Sequence, residues 1–129
     1  MATLFTRIIK GEIPSVRILE DDRFLAFLDI RPINPGHTLV IPKLEVDYLW
    51  DAAPEILSGM LPFSQKVAKA IQAATNCERV GVLVAGFEVP HAHLHLVPIE
   101  GEGELTFSRA RPAKPEDLQA MGQKIREQL

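Results

Sequence analysis

The 129-residue chain has a single cysteine, Cys77, so it can form neither an internal disulfide nor a zinc site built on several cysteines. That thiol reads as a small apolar filler or a half-exposed group. A basic excess is also missing. Fourteen Lys plus Arg against 17 Asp plus Glu leave a net charge of −3, which argues against a protein that coats nucleic-acid phosphates or anionic membrane surfaces. The longest apolar run, around residues 80–87, falls far short of the ~20 residues a membrane helix needs. At the N-terminus, Thr3, Thr6 and Arg7 interrupt the apolar residues and no cleavage-type segment follows. No export signal is read, and a soluble cytoplasmic protein is expected. No internal repeat or long linker divides the chain.

What is present is ordinary globular material: 47% apolar and 24% charged residues. The length predicts one domain over residues 1–129 that can bury its own core. Thr3 is placed to cap a short helix with Leu4, Phe5, Ile8 and Ile9 on one face, stopped by Gly11 and Pro14. Residues 16–20 and 24–28 read as a hairpin about Asp21-Asp22, and residues 37–41 as a third strand after a loop rich in Pro and Gly. Residues 46–53 read as loop or a helical turn. Residues 54–75 carry a helical apolar spacing that Pro62 should kink or break, with Asn76 as a left-handed end cap. Strands are expected at 80–85 and from Val89 or Pro90 to Pro98, joined by only a few residues and so antiparallel. A closing helix opens at Pro115 and runs towards Gln128, with Leu118, Met121 and Ile125 on one face. The sum is an α+β domain: a five-stranded antiparallel sheet with one long central helix and short N- and C-terminal helices, the helices on one side.

The informative segment is Pro90-His91-Ala92-His93-Leu94-His95-Leu96-Val97-Pro98, which holds three of the four histidines. On a strand His91, His93 and His95 share one face, while Ala92, Leu94 and Leu96 share the other. The apolar face belongs to the core, so the imidazoles look into a cleft or solvent. Three readings follow. One is a solvated histidine-rich face. Another is a metal site, but first and third imidazoles ~13 Å apart cannot share one ion without a bend, and His37 or Glu88 would have to complete it. The third is nucleophilic catalysis, in which a carbonyl fixes one ring nitrogen and frees the other to attack phosphorus.

His91-Ala92-His93-Leu94-His95-Leu96-Val97 resembles the histidine-triad (HIT) signature. Upstream, Phe5 to Pro14, Glu20-Asp21-Asp22, Ala26 to Ile30 and Pro35 to Lys43 are similar to the Hint-like branch of that family, in order and at family-like spacing. The resemblance implies a HIT-like fold and a hydrolase or transferase acting at the α-phosphate of a purine nucleotide conjugate, a phosphoramidate or a dinucleoside polyphosphate. It implies His93 as nucleophile, forming a covalent nucleotidyl-histidine, and His95 on the phosphate or leaving group. The His91 carbonyl would hold the back of the His93 ring, and His37 would close the phosphate side. It also implies Asp29 on the ribose hydroxyls and Phe5, Ile8, Phe27, Ile30 and Leu39 as apolar walls for the purine. Read without it, Phe5, Ile8 and Phe27 are equally plain core, Asp29 a turn residue and His37 an edge-strand surface residue.

The chain departs from the family just before the triad. Phe87 stands where relatives carry glutamine, and Glu88 where some carry Ser or Thr. A carboxylate beside a phosphate repels it unless it turns away or binds a histidine, so Glu88 is counted among the substrate-side positions. This departure motivates an alternative, a nucleotide-binding regulatory module with little catalysis. Arg109 and Arg111 could reach a phosphate or be surface charges. No metal or other cofactor is expected, and no nucleic acid or membrane partner. A homodimer is implied by the resemblance, with weak support from open sheet edges and the broad apolar side of residues 54–75.

Overall fold

The computed structural model describes residues 2–129. Thr3 Oγ1 accepts the Thr6 amide at 3.0 Å and caps α1 (Leu4–Ile9). A hairpin follows: β1 (Arg17–Glu20) and β2 (Phe24–Leu28), turned by Asp21, whose Oδ1 accepts the amides of Arg23 and Phe24, each at 2.8 Å. β3 (Thr38–Pro42), α2 (Pro54–Thr75), β4 (Arg79–Leu83), β5 (Leu94–Ile99) and α3 (Pro115–Arg126) complete the chain. The strands form one antiparallel sheet in the order β1-β2-β3-β5-β4.

Both faces of the sheet are covered, which is why β2, Phe-Leu-Ala-Phe-Leu, is buried throughout. Phe24, Ala26 and Leu28 pack with Val40, Leu94 and Leu96 against Met60, Phe63, Val67 and Ile71 of α2 and Ile125 of α3. The intervening residues Leu25, Phe27, Leu39 and Ile41 meet Phe5 and Ile8 of α1 on the opposite face. The expectation of helices on one side is therefore corrected. Phe5 and Ile8 of α1 cover the β2 and β3 part of that face, while Ile33, Leu105 and Ala110 from the loops pack on Val97 and Ile99 of β5. Leu4, expected on its apolar face, points outward.

Two local expectations also change. Pro62 neither breaks nor splits α2, which is continuous from Pro54 to Thr75 and ends at Asn76 with φ 57°. β4 begins at Arg79 and ends at Leu83, and β5 begins at Leu94, so residues 84–93 form a longer connection than expected. Pro90 can donate no ladder bond, and the Ala92 amide is committed elsewhere, to the Val46 carbonyl at 2.6 Å. Residues 46–53 contain a single 3-10 turn, Leu49–Asp51. Cys77 is buried, as a filler would be.

Candidate active site

Gly36 adopts φ 103°, a conformation that glycine enters freely, and this turn delivers His37 to the head of β3. In register, Leu39 faces His95 across β3 and β5, and His95 faces Leu83 across β4 and β5. His95 thus stands on the α1 face of the sheet, on β5 between the central strand β3 and the edge strand β4. His91 and His93 precede the ladder in irregular backbone. Even so, the rings converge: centroids of His93 and His95 lie 5.0 Å apart, and those of His37 and His95 5.1 Å. All four imidazoles are buried, His91 at 0% and His37 at 1% exposure. Neither a solvated histidine face nor an edge-strand surface role for His37 fits that burial.

The hydrogen bonds assign each tautomer, because a neutral imidazole has one donor and one acceptor nitrogen. The Ile33 amide donates to His37 Nδ1 at 2.9 Å. His37 therefore carries its proton on Nε2 and donates to His95 Nδ1, also at 2.9 Å. His95 in turn must carry its proton on Nε2. His93 Nδ1–H donates to the His91 carbonyl at 2.7 Å, so in the neutral ring Nε2 carries the lone pair. His91 Nε2–H donates to the Pro42 carbonyl at 2.8 Å, and its Nδ1 accepts the Thr3 hydroxyl at 2.8 Å. The array presents one free imidazole lone pair, on His93, beside a ring whose outer nitrogen is a donor, His95.

Burial disfavours the charged forms of His37, His91 and His95. Desolvation pushes His37 down to about 4. His95 is pushed down to about 3 by desolvation, with His37 and His93 adding to it. His91 is lowered mainly by burial, against the Pro42 carbonyl and Glu45, which favour its cation. Asp29 Oδ2 lies 3.6 Å from His37 Nε2, a contact with a neutral ring at pH 7 rather than an ion pair. Burial raises the Asp29 carboxyl, and the Arg31 amide at 2.9 Å on Oδ1 partly offsets this.

Asp29, His37 and His95 bring ligand-type atoms within 4.8 Å of one another, the one such cluster of three among the described residues. Its donor set suits a metal poorly. The Ile33 amide occupies the lone pair of His37 Nδ1, so Nε2 could bind an ion only as an imidazolate.

Phe5 packs edge-on against His93, His91 and Phe27, with centroids at 5.0, 5.8 and 5.6 Å. Phe5, Ile8, Phe27 and Leu39 thus form one cluster beside the histidines. Ile30, expected with them, lies outside it, 69% exposed on the loop after β2. In front of His93 two cavities adjoin. One, about 290 Å³, is bounded by Asp47, Tyr48, Trp50 and Phe87; the other, about 130 Å³, by Glu88, His95 and Phe107. Glu88 is exposed and hydrogen-bonds no histidine among the described residues. Arg109 bonds Asn34 Oδ1, and Arg111 bonds the carbonyls of Ser108 and Ala110, so both are tied to the surface. The Ile33 amide, the Pro42 carbonyl and Glu45 were not anticipated, and nothing in their local sequence marks them. Thr3 was expected only as a cap.

An antiparallel α+β sheet that brings His93 and His95 to adjoining cavities, with His91 behind them holding the His93 ring, defines a histidine-triad protein. The chain belongs to the HIT domain family, whose model matches residues 10–102. It is 37% identical to an uncharacterised HIT-like protein of Mycobacterium tuberculosis, over 100% of this chain and 94% of that one. It is 36% identical to the adenosine 5'-monophosphoramidase of Schizosaccharomyces pombe, over 97% and 96% of the two chains. Among solved structures, a HIT-like protein of Bartonella henselae matches with a TM-score of 0.88 and 37% identity, covering 98% of this chain and 96% of that one.

Proposed function

We propose that the chain is a nucleotide hydrolase acting at the α-phosphorus of an adenosine-type conjugate through His93. The observation that carries this reading is the 2.7 Å bond from His93 Nδ1 to the His91 carbonyl. It holds the ring in its nucleophilic tautomer and favours the positive charge that develops on the ring as Nε2 bonds to phosphorus. The similarity to adenosine 5'-monophosphoramidases of two yeasts supports the reaction class.

On this reading the purine lies against Phe5, Ile8, Phe27 and Leu39, with Ile30 at the rim, and Asp29 accepts the ribose hydroxyls. His93 Nε2 forms a bond to the α-phosphorus as the bond to the leaving group breaks. His95 Nε2–H donates to the phosphoryl or departing atom. Water then displaces His93 from the nucleotidyl-histidine and releases the nucleoside monophosphate. The cavities in front of His93 are lined by Asp47 and Glu88 but by no Lys or Arg. That balance favours an amine leaving group over a polyphosphate, whose charge those carboxylates repel.

The test is His93→Ala assayed on an adenosine phosphoramidate and a diadenosine polyphosphate, with calorimetry of nucleotide binding. The expected result is turnover of the phosphoramidate by wild type, loss of it in the variant, and retained binding. Mass spectrometry of quenched wild type should show an adenylylated peptide spanning His93. Full activity in the variant overturns the assignment. Binding without turnover by the wild type favours the regulatory module instead.

We further propose a homodimer through α2 and β4. Leu61 and Val82 are 63% and 49% exposed and flank one depression that Pro62 and Ala68 help to line. The Ser64 hydroxyl, buried in the same wall, finds no hydrogen-bond partner among the described residues.

A further inference from the structure

A second hydrogen-bonded cluster sits behind the triad, on the side away from the cavities. Its centre is Thr3. As an N-cap, Thr3 Oγ1 accepts the Thr6 amide at 3.0 Å, which leaves its own proton free. That proton goes to His91 Nδ1, 2.8 Å away and 88 residues on in sequence. The direction is forced, because His91 spends its single proton on the Pro42 carbonyl. Glu45 completes the cluster. Its Oε1 accepts both the Thr3 amide at 2.9 Å and the Thr6 hydroxyl at 2.6 Å. These bonds, the Thr6 hydroxyl first, hold the Glu45 carboxyl down to about 2, so it is an anion at any working pH.

The segment that supplies Glu45 also supplies the Pro42 and Val46 carbonyls, which bind the His91 ring and the Ala92 amide. The His91 carbonyl lies between those two anchors, and it is the only acceptor that fixes the His93 tautomer. A helix of six residues does not hold itself together in water. The seating of α1, and with it the Thr3 hydroxyl, therefore depends on ties such as the one to Glu45. We infer that Thr3 and Glu45 are positioning residues for the His93 nucleophile, acting through His91. The inference takes from the proposed function only that His93 reacts; its geometry stands apart from any substrate.

Thr3→Val removes the hydroxyl at constant shape, and Glu45→Ala removes the anchor. Imidazole 15N chemical shifts of the four histidines report tautomers directly, without turnover. In wild type, His93 is expected purely as the Nδ1–H form. In both variants it is expected as a mixture of tautomers, with Thr3→Ser restoring the wild-type spectrum. With an adenosine phosphoramidate, kcat per folded molecule is expected to fall about 10-fold to 100-fold, as small misplacements of reacting groups do. Should Thr3→Val fail to fold, Glu45→Gln carries the test, with a smaller shift in the same direction. A His93 spectrum unchanged in a folded variant, or a lower melting temperature with kcat intact, overturns the inference. An inactive wild type overturns the proposed reaction instead and leaves the tautomer comparison to decide this point.

Discussion

None of the four imidazoles has a free choice of tautomer, because each chain of donors ends on a fixed backbone group or on the capping hydroxyl of Thr3. Neutral burial has a measurable cost in acid. The unfolded chain takes up protons on His37 and His95 below about 6.5, whereas the folded rings refuse them until about 4 and about 3. More protons bind to the unfolded state in that window, so stability is full above pH 6.5 and falls as pH drops from there. Urea midpoints at pH 7 and pH 5 should differ, by up to ~1.4 kcal/mol per pH unit for each ring. His37→Gln should flatten the slope by about one ring's share. Equal stability at the two pH values contradicts the neutral assignment. The triad itself was legible from the spacing of His91, His93 and His95, although only His95 stands on the strand. Ile33, Pro42, Glu45 and the second role of Thr3 were not, because their contacts join backbone groups and side chains brought together only by the sheet.

Elements were read well where periodicity and end signals agreed. The cap at Thr3, the strand at residues 24–28, the end of α2 at Asn76 and the start of α3 at Pro115 all stand as expected. No break occurs at Pro62: a proline forfeits one hydrogen bond, but α2 has six buried side chains to hold it against that loss. Since Pro62 is exposed, Pro62→Ala should raise stability by about 1–3 kcal/mol, read as a higher denaturant midpoint; a lower one rejects this account. Gly122 gives the opposite case. Alanine in a helix normally gains about 1 kcal/mol over glycine, yet a Cβ here would overlap Val16 Cγ1, which belongs to a stiff branched side chain next to β1. Gly122→Ala should therefore destabilise by about 1–3 kcal/mol. The start of β5 lies later than expected because the histidine alternation mimics a strand, while the His91 and Ala92 amides bond the carbonyls of Val89 and Val46, neither of them in a strand.

At the scale of the whole molecule, the sequence conveyed an α+β sheet and the short first helix but not that this helix and the loops around Ile33 and Leu105 lie on the face opposite α2, since that depends on contacts distant in sequence. The exposed apolar surface around Leu61 and Val82 yields a further expectation: sedimentation at micromolar concentration should give twice the chain mass, and Val82→Lys should give the chain mass alone. A wild-type monomer contradicts the proposed dimer. The long reach of the central pairing matters as well. His37 and its receiver His95 are 58 positions apart, and Thr3 waits 88 positions for His91. The first four strands and the long helix are therefore synthesised before any imidazole of the triad exists. Products terminated before residue 93 should lack the proposed turnover altogether rather than retain part of it.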